Sequence, residues 1–139
     1  MDSSTLLCID DRPEALELRK ATLESHGYRV KTASSGYTAM KMLEATRVSA
    51  VILEYKSEGM DAEAIGCHIK QWFPDLPIIL LSAYSEIPER VLWLVDEYVM
   101  KCELPEGLVR TIERATGRAN TAAMHKLSPR SSERAGAAA

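Results

Sequence analysis

Ala50-Val51-Ile52-Leu53-Glu54 is the stretch whose reading decides the fold: four apolar residues in a row, closed by a carboxylate. Three other runs behave alike. Leu6-Leu7-Cys8-Ile9 leads into Asp10-Asp11, Ile78-Ile79-Leu80-Leu81 into Ser82, and Tyr98-Val99-Met100 into Lys101. Short continuous apolar runs alternating with helical patterns read as strands of a parallel sheet covered on both faces. In such sheets ligands bind at the carboxyl ends of the strands. Asp10, Asp11, Glu54, Ser82 and Lys101 are therefore predicted on one rim. Three carboxylates, a hydroxyl and an ammonium suit a divalent cation and a phosphoryl group.

Between the runs the pattern turns helical. The first strand is expected at Thr5–Ile9, then a helix from Pro13 to about His26 with Leu16, Ala21 and Leu23 buried and Gly27 as its stop. Tyr28–Thr32 alternates as a second strand, and Ser34-Ser35-Gly36 opens a helix through Ala45 that bears Ala39, Met40 and Leu43. The third strand spans Ser49–Glu54, and Asp61 is placed to cap a helix over Ala62–Phe73. Pro74 and Pro77 bracket the approach to the fourth strand, Ile78–Ser82. A short helix around Pro88–Leu94, the fifth strand and a last helix over Pro105–Thr116 complete a fivefold β-α alternation, a doubly wound α/β sandwich.

Composition narrows the function. A chain of 139 residues with 46% hydrophobic and 27% charged residues is ordinary for one globular domain and too short for two. Residues 1–116 read as that domain and 117–139 as a flexible, basic tail rich in Ala, Ser and Arg. Arg118, Lys126, Arg130 and Arg134 against Glu133 put the tail at +3, so the net −3 of the whole leaves the body at −6. An acidic body without a recognition helix argues against nucleic acid as a partner. Cys8, Cys67 and Cys102 lack the spacing of a zinc site or a disulfide framework and fit reduced thiols. No apolar stretch approaches the ~18 residues of a membrane span, so a cytoplasmic location without membrane contact is expected.

The order of these strand-end residues resembles the receiver domain of two-component response regulators, over roughly Thr5–Ala115. In that family an acidic pair follows strand 1, an aspartate ending strand 3 takes the phosphoryl group, a Ser or Thr ends strand 4 and a lysine ends strand 5. Asp10, Asp11, Ser82 and Lys101 occupy the matching positions, and Tyr98 matches an aromatic residue that swings between exposed and buried states. The resemblance implies the flavodoxin-like strand order 2-1-3-4-5. It also implies Mg²⁺ held by Asp11 directly, by Asp10 through water, and by the backbone carbonyl of Lys56. Expected partners are proteins: a histidine kinase, a phosphotransfer protein or an output protein, with homodimerisation as a further option.

One position departs from the pattern. Glu54 stands where the phosphoaccepting aspartate belongs, and its extra methylene moves the carboxylate by roughly 1.5 Å. A displacement of that order can lower a rate ~100-fold. Three readings stay open: Glu54 mimics the phosphorylated state by reaching toward Ser82 and Lys101, it marks a receiver that works by contacts alone, or it is phosphorylated inefficiently. Buried at a strand end, it requires a partner, Lys101 or a metal. Mg²⁺ affinity is expected to be weak, and Lys56 either swings over the acidic pocket or points to solvent. A stand-alone signalling receiver, not an enzyme, is the leading function. The alternative is a small phosphatase-like hydrolase using the same acidic metal site, against which stands the lack of a second acid/base group or phosphate loop.

Two further departures lie nearby. The segment between Ser82 and Lys101 is short and has Leu94-Val95 before strand 5 where small residues are usual. Cys102 follows the lysine in place of a proline, so a trans peptide is expected there. Leu92 and Trp93 are candidates for an exposed apolar patch, with the core as the more ordinary place for Trp93.

Overall fold

The computed structural model describes residues 4–55 and 59–117. The elements run β1 (Thr5–Ile9), α1 (Pro13–Glu24), β2 (Arg29–Ala33), α2 (Gly36–Ala45), β3 (Ala50–Glu54), α3 (Ala62–Trp72), β4 (Ile78–Ser82), α4 (Glu89–Leu92), β5 (Glu97–Met100) and α5 (Glu106–Thr116). A 3-10 turn over Lys101–Glu103 joins β5 to α5. The five strands form one sheet in the order β2-β1-β3-β4-β5, every pair parallel. Parallel neighbours require crossover connections, and the helices supply them.

The sheet is buried on both sides, so the strands need no polar alternation. Successive side chains point to opposite layers. Leu6, Cys8, Ile52, Leu81 and Val99 pack with Leu16 and Leu23 of α1 and with Leu108 and Ile112 of α5. Leu7, Ile9, Val51, Leu53 and Leu80 pack with Leu43 of α2, Ile65 and Ile69 of α3 and Val91 of α4.

Local chemistry sets the helix ends. Pro13 takes the first turn of α1, where a missing N–H is harmless. Ser35 and Asp61 accept hydrogen bonds from the N–H groups of Thr38 and Ala64 and so cap α2 and α3, the second as expected. Gly27, at φ 94°, makes the turn after α1 that a residue with a Cβ adopts poorly.

Several expectations change. Ala21 is exposed, because the buried stripe of α1 runs Leu16–Arg19–Leu23 and position 21 lies off it. Helix α4 has only four residues, between the Pro88 cap and Trp93. Trp93 is 76% exposed and Leu92 41%, so the apolar patch, not the core, receives them. The one cis peptide among the described residues is Leu104–Pro105, and the bond before Cys102 is trans, as expected. No described helix is long and apolar enough to cross a membrane. Lys56 and the tail from 118 onward lie outside the described residues.

Candidate functional site

Register brings the acidic residues together. Ile9 pairs with Leu53 across β1 and β3, so Asp10 and Glu54 are the next step on each strand. Ile9 and Leu53 face the α2–α3 layer. The following residues therefore turn the other way, toward α1 and α5. Both are buried, Asp10 at 0% and Glu54 at 3% exposure. Two carboxylates of like charge in that setting demand compensation.

Three cations supply it. Lys101, at the end of β5, places Nζ 2.9 Å from Glu54 Oε2, one of the two partners foreseen for Glu54. Arg12 donates its backbone N–H to Asp10 Oδ1 at 3.0 Å and Nη2 to Asp10 Oδ2 at 3.2 Å. The same Nη2 lies 3.7 Å from Glu54 Oε1 and so bridges the two carboxylates. Arg19, on the buried stripe of α1, puts Nη1 3.5 Å from Asp10 Oδ2 and Nη2 3.9 Å from Glu54 Oε1. The hydrogen bond to Asp10, ahead of its charge and that of Glu54, holds the Arg12 guanidinium more firmly protonated than usual. Burial pushes the neighbouring Cys8 thiol up to about 12, with Arg19 acting in the opposite direction. That thiol is therefore no nucleophile at neutral pH.

Asp11, half-buried, is held by the loop beyond β3. Its Oδ2 accepts the backbone N–H of Gly59, tying the β1–α1 loop to the chain beyond β3. The approach is close enough that a Cβ at position 59 would stand 2.8 Å from that oxygen, which explains the glycine.

Ser82, fully buried at the end of β4, is engaged by its own loop. Its Oγ accepts the N–H of Tyr84 at 2.9 Å and donates toward the Tyr84 carbonyl at 3.4 Å. The Tyr98 hydroxyl donates to the same carbonyl. Tyr98 is half-buried, and burial, followed by the charge of Glu103, raises its phenol above the ordinary value.

All the predicted side chains except the undescribed Lys56 thus sit at the carboxyl rim. The structure joins Asp10, Glu54 and Lys101 into one ion-pair cluster and Ser82 and Tyr98 into a second, hydrogen-bonded group around Tyr84. The sequence reading missed the two arginines. Their signal was present: Arg19 falls between Leu16 and Leu23 at helical spacing, where an apolar residue is usual.

Residues 6–113 match the response regulator receiver domain. The chain belongs to that family. It is a receiver unit of two-component signalling, and receiver domains act as signalling modules. The transcriptional regulatory protein GlrR of Escherichia coli is 36% identical over 86 residues, covering 62% of this chain and 19% of that protein. A probable transcriptional regulator, ycf27 of Guillardia theta, is 30% identical over 121 residues, 85% of this chain and 47% of its own length. The receiver thus spans between about a fifth and about half of the curated relatives it matches. The crystal structure of response regulator TrrA from Thermotoga maritima in complex with Mg²⁺-BeF superposes with a TM-score of 0.74 at 31% identity, covering 81% of this chain and 98% of that one. TrrA has also been solved in complex with the histidine kinase ThkA.

The fit of a divalent ion to this receiver can be tested on its own residues. Among the described residues no three acidic, His or Cys side chains converge as ligands. From the described residues Glu54 Oε1 accepts no hydrogen bond, and it would be the natural donor, yet two guanidinium groups face it at 3.7 and 3.9 Å. Two unit charges at ~4 Å interact by about 4 kcal/mol at an effective dielectric constant of ~20, and a divalent ion doubles that repulsion. As arranged, the residues do not fit the ion.

Proposed function

We propose that this receiver signals through protein contacts without phosphorylation of Glu54, a carboxylate held in a fixed ion-pair cluster. The observation that carries the reading is the 2.9 Å pair between Lys101 and Glu54 at 3% exposure of the latter. An in-line phosphoryl transfer needs the nucleophile aimed at the donor, with positive charge free to meet the transferring group. Here that charge already faces Glu54, and the longer side chain changes the line of approach.

In this reading Asp10, Asp11, Glu54 and Lys101 form the remnant of a phosphoryl site. Ser82 and Tyr98 form the switch region. Mg²⁺ binds weakly at most. Glu54 supplies a permanent negative charge next to Lys101, as an acyl phosphate would. Ser82, however, is engaged by Tyr84 and not by Glu54, so the mimicry covers the lysine half of the site. Partners are proteins, a histidine kinase among them in view of the TrrA–ThkA complex. Leu92 and Trp93 add exposed apolar surface at the end of α4.

Beryllofluoride with Mg²⁺ tests this. Amide resonances of Glu54, Ser82 and Lys101 are expected to stay in place when both are added. Shifts of all three, saturating with beryllofluoride, would show a working phosphoryl site and overturn the proposal.

A further inference from the structure

The cluster holds more positive charge than a phosphoacceptor needs. A lysine at the end of β5 is part of the receiver pattern, but the two arginines are not accounted for by it. Arg12 lies at the N-cap of α1, half-exposed, and Arg19 about two turns further along the helix, at 9% exposure. Their guanidinium groups approach the same two carboxylates. Arg12 Nη2 sits between Asp10 Oδ2 at 3.2 Å and Glu54 Oε1 at 3.7 Å, and Arg19 spans the same pair at 3.5 and 3.9 Å.

A divalent cation held among these carboxylates would do the same electrostatic task. It offsets their mutual repulsion and allows both to stay ionised while buried. With Asp10, Asp11 and Glu54 set against Arg12, Arg19 and Lys101, the described groups carry three charges of each sign. Mg²⁺ would add two positive charges to described groups that already balance. Mg²⁺ also demands near-octahedral oxygen ligation and gives up its waters reluctantly, so it competes poorly with guanidinium groups already attached to the chain.

We infer that Arg12 and Arg19 take the place of the divalent cation, so that this receiver keeps its rim folded and charged without a metal. The inference rests on reading the rim as a receiver site, and it deepens that reading by assigning the arginines a role. It also divides them. Arg19, buried, neutralises the pair as a fixed part of the core. Arg12, half-exposed on a loop, is the part that blocks the ion's entry.

Mn²⁺ is a suitable probe, because its binding is read both from the free-ion electron paramagnetic resonance signal and from paramagnetic broadening of nearby amides. The full chain is expected to leave free Mn²⁺ unchanged, with no broadening at Asp11 or Gly59. Arg12→Ala is expected to bind Mn²⁺ at least about tenfold more tightly, with broadening at those amides, as the loss of one close electrostatic contact implies. Arg12→Gln, of similar length but uncharged, should behave as Arg12→Ala does and guards against a folding defect in the latter. Wild-type binding as tight as in either variant overturns the inference, because the arginines would then not compete with the ion. Absence of binding in both variants, with native circular dichroism, overturns it too, because something other than Arg12 would be excluding the metal. Neither result bears on whether Glu54 accepts a phosphoryl group, which phosphodonor experiments read separately.

Discussion

On the β1–β3 side of the rim, Asp10 and Glu54 are shut away from solvent and face Arg12, Arg19 and Lys101. On the β4–β5 side, Ser82 and Tyr98 converge on one loop residue, Tyr84, which is 52% exposed. Beyond it lie the four residues of α4 and the exposed Trp93. The first region cannot shift in small steps, since moving any one charge strands another in a low-dielectric setting. The second is held by neutral hydrogen bonds worth about 1 kcal/mol each. One sheet edge therefore carries a rigid charged core beside an adjustable loop and helix. Any change of shape on partner binding is expected in the second.

The largest contrast should appear in amide exchange. Strand β1, buried and paired on both sides by β2 and β3, should exchange only through global unfolding. Residues 84–96 should exchange through local opening, with a free energy smaller by about 5 kcal/mol, a sizeable part of a domain's stability. Equal protection of α4 and β1 would erase the distinction.

Next in size is Arg19. Replacing it by Ala removes the buried cation from two buried carboxylates and should lower unfolding free energy in urea by about 3–5 kcal/mol. A loss under about 1 kcal/mol, the level of an exposed pair, would mean that Arg12 and Lys101 suffice and the cluster is looser than described.

The smallest effect concerns Tyr98→Phe. Loss of the hydrogen bond to the Tyr84 carbonyl should destabilise by only about 1 kcal/mol while increasing exchange at Tyr84 and Ser85. The phenol has its own pH signature. Its native pKa is raised by burial, so the folded state holds the proton more firmly than the unfolded chain does. This contribution to stability is fully present below the ordinary tyrosine value of about 10 and is lost as pH rises through the higher native value. The wild type should therefore show a steeper alkaline loss of stability than Tyr98→Phe.

Much of the architecture was legible because parallel strands buried on both faces leave unbroken apolar runs. β1 and β4 fall where the runs of residues 5–9 and 78–82 put them. The strand-end residues were legible for the same reason, since a polar residue closing an apolar run marks the rim. Strand order was not in the periodicity at all and came from resemblance to the receiver family. Arg19 was hidden by the habit of seeking apolar residues on a buried stripe, although its spacing from Leu16 and Leu23 was correct. Trp93 was expected inside on grounds of residue type, but a four-residue helix after Pro88 has only one buried face, and Val91 occupies it. The direction of the Ser82 hydroxyl depends on a loop turn at Tyr84 that no pattern announced.

The most direct test of the account is intact-mass analysis after incubation with acetyl phosphate and Mg²⁺, run on the wild type beside Glu54→Asp and Arg12→Ala/Glu54→Asp. The wild type should gain no phosphoryl group, and the double variant, with the shorter nucleophile and the ion's place vacated, should gain one at residue 54. A donor-dependent phosphoryl group on the wild type, mapped to Glu54, would contradict the account at its centre.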